Sequence, residues 1–368
     1  MSLYSRCYST EEILDLIEYQ IKYSVPLRNF NFVLSLVTCV VGLIGNAIVI
    51  FFNIFLMKKH KSKIWFLNLA ITDFVSLLLL PLHAFAVLKG HWPYGKHICK
   101  IFLFVICVNM YASIFILIAL NLSRVLSVAK PMFHRTFISQ RVSQWICTMI
   151  WIITIFTSLP VLVFSGEFKI GEDRYCSLFC AKDLDDAALK PTFNLTEPLN
   201  LEEKVYLDVY NKFHYFCNGC TAEKCCGDEN TLVIWNNIIF SLQCFTIPLL
   251  VIGYFLPFCV IMFSNITIAV QVQKSQTVNT HRLYKIVITI IIVYFVTWTP
   301  LILGEIILLA AVKNMNLVAM FKIMTFLPLL CNIAYTNCCL NPIMYVLVGR
   351  QTRAGLADFL SSISIRSN

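Results

Sequence analysis

The chain has 368 residues and a formal net charge of +9, with 58% hydrophobic and only 13% charged residues. Soluble domains carry about 25% charged residues, so this composition excludes a soluble globular protein, and the many aromatic residues exclude an intrinsically disordered one. The mean hydropathy of +0.75 indicates that most of the apolar surface is buried in a membrane.

Seven stretches of the sequence reach the roughly 20 apolar residues that a helix needs to cross the hydrocarbon core of a bilayer. Membrane-crossing strands are about ten residues long and alternate in polarity, a pattern that these stretches lack. The sequence therefore predicts an all-α membrane protein, a bundle of seven transmembrane helices within residues 30–348. In chain order the spans are 30–57, 64–88, 98–128, 142–164, 238–270, 284–311 and 317–348.

The basic residues indicate the orientation of the bundle. If residues 1–29 are extracellular, the cytoplasmic segments hold fourteen Lys and Arg residues against one acid, Asp358. Short cytoplasmic loops rich in Lys and Arg are the normal pattern in membrane proteins. The positive charge is therefore a topology signal, which argues against a nucleic-acid partner. We expect a multi-pass plasma-membrane protein with a cytoplasmic tail at 349–368.

The extracellular connection at 165–237 is much longer than the other loops. It contains Asn194 in an Asn-Leu-Thr sequon, which predicts N-glycosylation. Eight of the sixteen cysteines face the oxidising extracellular side, where disulfides are expected, and the sequence leaves their connectivity open. These cysteines are Cys7, Cys99, Cys176, Cys180, Cys217, Cys220, Cys225 and Cys226.

Each span contains or borders a short polar or proline motif. In chain order the motifs are Gly45-Asn46, Leu67-Asn68-Leu69-Ala70-Ile71-Thr72-Asp73, Asn121-Leu122-Ser123-Arg124-Val125, Trp151 with Pro160, Pro257, Thr297-Trp298-Thr299-Pro300, and Asn341-Pro342-Ile343-Met344-Tyr345. Over nearly the whole chain this pattern resembles the rhodopsin-like (class A) G-protein-coupled receptors. His91-Trp92-Pro93-Tyr94-Gly95, Asn109-Met110-Tyr111-Ala112-Ser113 and Lys130-Pro131 further resemble the chemoattractant branch, which includes the complement C3a anaphylatoxin and formyl-peptide receptors.

Asp73 places a carboxylate in the middle of the second span. Such a group costs at least about 2.5–3.5 kcal/mol in a membrane, so it should face the bundle interior and have polar partners. The resemblance implies a sodium ion bound by Asp73 and Ser113, with Asn109, Asn337 and Asn341 nearby, and oxygen ligands suit such a hard cation. The alternative is a hydrogen-bond network around a protonated Asp73. No other metal or cofactor is implied.

The resemblance implies roles for further residues. A disulfide joins Cys99 to Cys176, with Cys180 as an alternative partner. Arg124 contacts the G protein after the sixth helix moves outward. The residues that take part in this activation movement are Trp298, Pro300 and Tyr345, and those that line the ligand pocket are His83, Tyr111, Trp298, Glu305 and Lys322.

Several positions depart from the family pattern at the cytoplasmic side, among them Val125 and Thr352, and two others bear on the balance between resting and active states. Ser123 stands where the family normally has an acid that pairs with the arginine, and Asn265 stands where a tyrosine supports the active state. Loss of the acid should destabilise the resting state, and loss of the tyrosine should destabilise the active state. The sequence thus predicts altered basal signalling without giving its sign.

The sequence predicts a non-enzymatic cell-surface receptor for an extracellular chemoattractant-like ligand, a peptide or small protein. It would signal through a heterotrimeric G protein of the inhibitory class, with a short amphipathic eighth helix at 350–360. The alternative is a ligand-scavenging or viral-type decoy receptor of the same fold, with altered or absent G-protein signalling. A channel, transporter or intramembrane enzyme would need more ionisable residues deep in the spans than Asp73 and Glu305.

Overall fold

The computed structural model describes residues 8–55, 63–170, 173–177, 203–209, 229–275, 278–340 and 342. Seven helical stretches of this part of the chain are long and apolar enough to cross a membrane. The predicted seven-helix bundle is therefore confirmed. The predicted eighth helix, Asn194, Asn341 and Tyr345 lie outside the described residues.

Helices account for most of the described chain. They are α1 (Thr10–Phe55), α2 (Lys63–Lys89), α3 (Gly95–Ala129), α4 (Pro131–Phe137), α5 (Gln140–Phe164), α6 (203–209), α7 (Glu229–Pro248), α8 (Leu256–Ser275), α9 (Val278–Lys313) and α10 (Leu317–Tyr335). The spans are α1, α2, α3, α5, α7 together with α8, α9, and α10 with the residues up to Leu340. The short helix α4 lies on the cytoplasmic side, and α6 belongs to the long extracellular connection.

The first helix is much longer than a membrane span requires. With 46 residues, α1 measures about 69 Å at 1.5 Å per residue, whereas the hydrocarbon core is about 30 Å thick. Its exposed side chains are largely apolar from Phe30 onwards and largely polar before that residue. Residues 8–29, which we call the outer extension, therefore project from the membrane on the extracellular side.

The outer extension begins with a reciprocal capping arrangement. The Ser9 N–H donates to Glu12 Oε2 at 3.0 Å, and the Glu12 N–H donates to Ser9 Oγ at 3.1 Å. This capping box satisfies backbone donors that the first turn of a helix would otherwise leave unpaired. The helix consequently starts at Thr10, about twenty residues before its membrane-spanning part.

A π-helical turn interrupts the fifth span. It covers Leu249–Phe255, and α8 begins at Leu256, directly before Pro257. Proline has no N–H for the carbonyl four residues earlier, here Gly253, and its ring crowds that carbonyl. A local change to wider helical turns is a known way to accommodate such a break.

An antiparallel hairpin follows α5 on the extracellular side. Its strands are β1 (Gly166–Ile170) and β2 (Asp173–Ser177), with Glu167 opposite Cys176. The sequence analysis did not predict these strands. The sequence signal was short: charged Glu167 and Lys169 alternate with apolar neighbours, and the next residues in the sequence include Gly171, a residue type that favours turns.

Amide side chains join α1 to the seventh span inside the bundle. Asn332 Nδ2 donates to Asn31 O (2.9 Å), Asn31 Oδ1 (3.1 Å) and Ser35 Oγ (2.8 Å). Asn46 Nδ2 donates to the Cys338 carbonyl at 2.9 Å. Interhelical hydrogen bonds of this kind each contribute about 0.6–2 kcal/mol inside a membrane, so they fix the position of α10 against α1.

Candidate functional site

The outer half of the bundle contains a buried acid, Glu305 of α9. Its side chain is 7% exposed, and its Oε2 accepts a hydrogen bond from Thr246 Oγ1 of α7 at 3.5 Å. Among the described residues, the buried carboxylates are Glu305 and Asp73. A carboxylate held by a neutral hydroxyl in an apolar setting retains a strong preference for a cation.

Two further predicted pocket residues direct unpaired polar atoms into the bundle. The His83 ring stacks on Phe102 with centroids 6.3 Å apart, and its Nε2 is buried without a hydrogen-bond partner. Trp298 Nε1 is also buried and without a partner. Buried donors and acceptors are normally satisfied, so these two atoms are suited to bind a ligand or an ordered water.

The other two predicted pocket residues differ in their surroundings. Tyr111 is partly buried on α3. Lys322 of α10 instead places its Nζ 5.2 Å from the centroid of the Tyr19 ring, in the outer extension. Within the part of the chain that the structure describes, Lys322 makes no ion pair or hydrogen bond with Glu305. Lys322 therefore belongs to the contact between α10 and α1.

The predicted polar core is buried in the middle of the bundle. Asp73 is 2% exposed, and Asn109 and Asn337 are buried as well. The side chain of Asp73 lies close enough to interact with Cys338, the residue after Asn337. The structure thus brings the acid of α2 next to the predicted asparagine of the seventh span.

Ser113 contacts α2 beside the acid. Its Oγ lies 2.7 Å from Thr72 Oγ1, and the Thr72 hydroxyl donates to the Leu69 carbonyl at 2.8 Å. Because the single hydroxyl proton of Thr72 goes to that carbonyl, Ser113 is the donor in the pair. The lone pairs of Ser113 are therefore directed away from Thr72. Asn337 Oδ1 is buried without a hydrogen-bond partner, so the core contains acceptor oxygens that suit a hard cation.

An aromatic cluster surrounds the predicted activation residue Trp298. The Trp298 ring lies 5.7 Å from the Tyr294 ring, which lies 5.4 Å from the Phe295 ring. Tyr254 of the π-helical turn packs edge-on against Phe295, and its hydroxyl lies 2.7 Å from Thr299 Oγ1. Pro300, also predicted for the switch, follows within α9. The π-helical turn and α9 are thus joined at the level of this proline.

The cytoplasmic end of α3 contacts the short helix α4. Ser123 Oγ lies 3.4 Å from His134 Nε2 of α4. Arg124 lies within α3, and its side chain is outside the described set. At the position where an acid was expected, the structure therefore has a serine that contacts the histidine of a second helix.

Cys99 and Cys176 form a disulfide, with their Cα atoms 5.6 Å apart. Cys99 is fully buried among Trp92 and Phe102. The Trp92 backbone N–H donates to the Arg174 carbonyl at 2.6 Å, so the hairpin is attached to α3 by the disulfide and to the connection between α2 and α3 by a hydrogen bond. This geometry selects Cys176 over Cys180 as the partner.

The model of the 7 transmembrane receptor (rhodopsin family) matches residues 45–195 and 208–345 of this chain. The chain belongs to this family. It is a multi-pass receptor of the plasma membrane rather than an enzyme, and its partners are an extracellular ligand and a G protein.

Similar receptors indicate the branch. Chemerin-like receptor 1 of Rattus norvegicus is 28% identical over 355 residues, covering 95% of this chain and 83% of that receptor. Chemerin-like receptor 1 of Homo sapiens is 28% identical over an alignment that covers 88% of this chain and 76% of that receptor. The C3a anaphylatoxin chemotactic receptor of Oncorhynchus mykiss is 26% identical over an alignment that covers 87% of this chain and 74% of that receptor. The predicted chemoattractant branch is confirmed.

Introducing an acid before Arg124 should lower basal signalling of the receptor. In Ser123→Asp the new carboxylate can pair with the neighbouring guanidinium and stabilise the resting state by up to about 1 kcal/mol, or roughly fivefold in population. Basal nucleotide exchange on purified G protein is the measurement, with Ser123→Asn as the neutral control of similar size. Equal basal exchange in Ser123→Asp and in the control would refute the assigned role of the missing acid.

The sequence analysis missed Thr246, the hydrogen-bond partner of Glu305. It also missed Tyr8, Gln20 and Thr325, which join the outer extension to the seventh span. A threonine inside an apolar run gives no sequence signal for its partner. Contacts between residues about 300 positions apart follow only from the packing of helices.

Proposed function

We propose that the receptor binds a chemoattractant-like peptide or small protein with a cationic group and signals through a heterotrimeric G protein of the inhibitory class. The observation that carries the ligand assignment is Glu305, a buried acid in the outer half whose described hydrogen bond comes from the neutral Thr246. A cationic group of a ligand would replace the missing charge partner. Binding there would be favoured by the low local dielectric.

The outer surface favours the approach of such a ligand. Glu11, Asp15 and Glu18 are exposed on the outer extension. Clustered charges of one sign attract oppositely charged partners and raise their association rate. The printed names of the relatives, chemerin-like receptor and C3a anaphylatoxin chemotactic receptor, support a chemotactic ligand.

Signalling would be a shift between two populations of the bundle. Ligand at Glu305 contacts α9, which continues through Trp298 and Pro300 to the cytoplasmic side. A ligand shifts such an equilibrium only by its differential affinity for the two states. We infer that α9 moves about Pro300 and opens a cleft near Arg124 for the G protein.

We also propose that the polar core binds a sodium ion. The carboxylate of Asp73, the lone pairs of Ser113 and the unpartnered Asn337 Oδ1 are the donors that would hold it, with Asn109 close by in sequence to Ser113. When bound, the ion would neutralise a carboxylate inside the membrane. The residues themselves hold α2, α3 and the seventh span together.

The ligand assignment is tested with Glu305→Gln. We expect a panel of complement fragments and chemoattractant peptides to include an agonist of nucleotide exchange on inhibitory G protein, and Glu305→Gln to reduce its potency about 10- to 100-fold, as for a lost buried charge pair. Glu18→Gln, an exposed acid of the outer extension, is the control and should change potency by less than about threefold. Unchanged potency in Glu305→Gln would refute the role of Glu305.

The contact between Ser123 and His134 favours a second candidate, a decoy receptor. Without an acid beside Arg124, the cytoplasmic cleft lacks a normal element of the family's switch. In this case the same agonists would bind with unchanged dependence on Glu305 but would produce no nucleotide exchange. The binding and exchange assays therefore separate the two functions.

A further inference from the structure

Two extracellular segments meet over the outer ends of the spans in one buried apolar cluster. The outer extension contributes Leu16 and Ile17, and α6 contributes Val205 and Val209. We call these two segments, residues 8–29 and 203–209, the outer cap. The cluster is completed from the bundle by Trp235, Leu242, Leu308, Ala311, Val312, Met315, Leu317, Met320 and Phe321.

Tyr8 fastens the outer cap to the turn between α9 and α10. Its hydroxyl donates to the Met315 carbonyl and accepts from the Leu317 N–H at 2.8 Å. Met315 has a φ of 51°, in the left-handed region, so the turn presents backbone groups outside the helical pattern. The buried phenol thus uses both its donor and its acceptor capacity on one turn.

Further contacts hold the outer cap on two sides. On the α10 side, Gln20 Nε2 donates to Thr325 Oγ1 at 2.7 Å. On the hairpin side, the Tyr175 hydroxyl donates to Asp208 Oδ1 of α6 at 3.3 Å. Burial and the nearby carboxylate raise the pKa of Tyr175, so its hydroxyl remains protonated and donating at physiological pH. The disulfide of Cys176 fixes this hairpin to α3.

The outer cap lies directly above the proposed ligand site. Leu308, which packs in the cap cluster, is three residues outward of Glu305 on α9, a rise of about 4.5 Å. On α10, Phe321 of the same cluster precedes Lys322, which contacts Tyr19 of the cap. A solute that comes from outside between α7, α9 and α10 therefore meets the cap before it meets Glu305.

We propose that the outer cap is a gate to the ligand site and that Tyr8 is its latch. Release of the Tyr8 hydroxyl from the α9–α10 turn separates the outer extension from α9 and α10 and opens the path to Glu305. The position of the ligand site rests on the proposed function, but the gate itself concerns access and needs no ligand for its test.

The test uses Cys331 of α10 as a reporter, because this free, half-buried thiol lies ten residues inward of Phe321, which packs in the cap cluster. A cationic, membrane-impermeant methanethiosulfonate is added outside to cells that express the full chain, and the modification rate of Cys331 is measured by mass spectrometry. We expect Tyr8→Phe, which keeps the ring and removes the hydroxyl, to raise this rate about tenfold, as for loss of two hydrogen bonds.

Two controls make the result specific to the gate. Tyr23→Phe changes an exposed tyrosine of the same extension and should leave the rate unchanged. Cys259, which is exposed on the spanning part of α8, should stay unmodified in every variant. Equal modification rates of Cys331 in the parent chain and in Tyr8→Phe would overturn the gate. Modification of Cys259 together with Cys331 would also overturn it, because modification at both positions would indicate a loosened bundle. Since the assay requires neither an added ligand nor a signalling readout, a negative Glu305→Gln result leaves this outcome unaffected.

Discussion

Removal of the extracellular disulfide should produce the largest loss of stability that we predict. The double variant Cys99→Ser/Cys176→Ser opens a loop with a sequence separation of 77, for which the chain-entropy estimate is about 4.5 kcal/mol. It also releases the hairpin, and with it the Tyr175 contact that holds α6. We expect a much lower thermal midpoint of the purified receptor and reduced amounts at the cell surface.

The design of this variant avoids new thiols. Replacing both cysteines leaves no freed partner to pair with the other extracellular cysteines. Cys244→Ser, which changes an exposed free cysteine of α7, is the control for the chemistry of the substitution. A midpoint of the double variant equal to that of Cys244→Ser would contradict the anchoring role of the Cys99–Cys176 bridge.

Loss of one phenolic hydroxyl within the bundle should cause the next largest loss of stability. The Tyr294 hydroxyl of α9 donates to the Gly253 carbonyl of the π-helical turn at 2.5 Å. Pro257, four residues after Gly253, has no N–H for this carbonyl. Tyr294→Phe therefore removes a donor from a carbonyl whose normal helical partner is missing. We expect it to lower the free energy of unfolding by about 1–2 kcal/mol, measured as a drop of a few degrees in thermal midpoint.

Tyr254→Phe is the matched control for this prediction. It removes a hydroxyl at a similar depth, one that contacts the Thr299 side chain. Thr299 retains its own bond to the Phe295 carbonyl, so no backbone group loses a partner. The midpoint should fall less than in Tyr294→Phe. A larger fall in Tyr254→Phe would show that the backbone bond of Gly253 is not what stabilises the contact between α9 and the fifth span.

Hydropathy was sufficient to predict the seven spans because each span must bury about 20 apolar residues in lipid. Hydropathy did not predict that the outer extension is helical, because the apolar residues of this segment alternate with polar ones in an amphipathic pattern. There, Ile13, Leu16, Ile17 and Ile21 recur at helical spacing after the capping pair Ser9 and Glu12. These signals predict a helix once they are considered together. Hydropathy alone treats the segment as a polar terminus.

The sequence was sufficient to predict those features of the candidate site that depend on the chemistry of a single residue. A carboxylate in a span must face inward, and Asp73 and Glu305 do so. The side-chain partners were beyond the sequence, because Thr246 and Glu305 meet only when α7 packs against α9. The same limit applied to Lys322, which the structure places against Tyr19 of α1.

The continuity of α1 across the membrane boundary has a practical consequence. Its exposed Glu11, Asp15, Glu18 and Lys22 recur every three or four residues, so they form one stripe on a helix that continues into the first span. An antibody fragment raised against this stripe would be connected to the transmembrane bundle by one helix. It would serve as a fiducial marker for electron cryo-microscopy and leave the cytoplasmic loops unchanged.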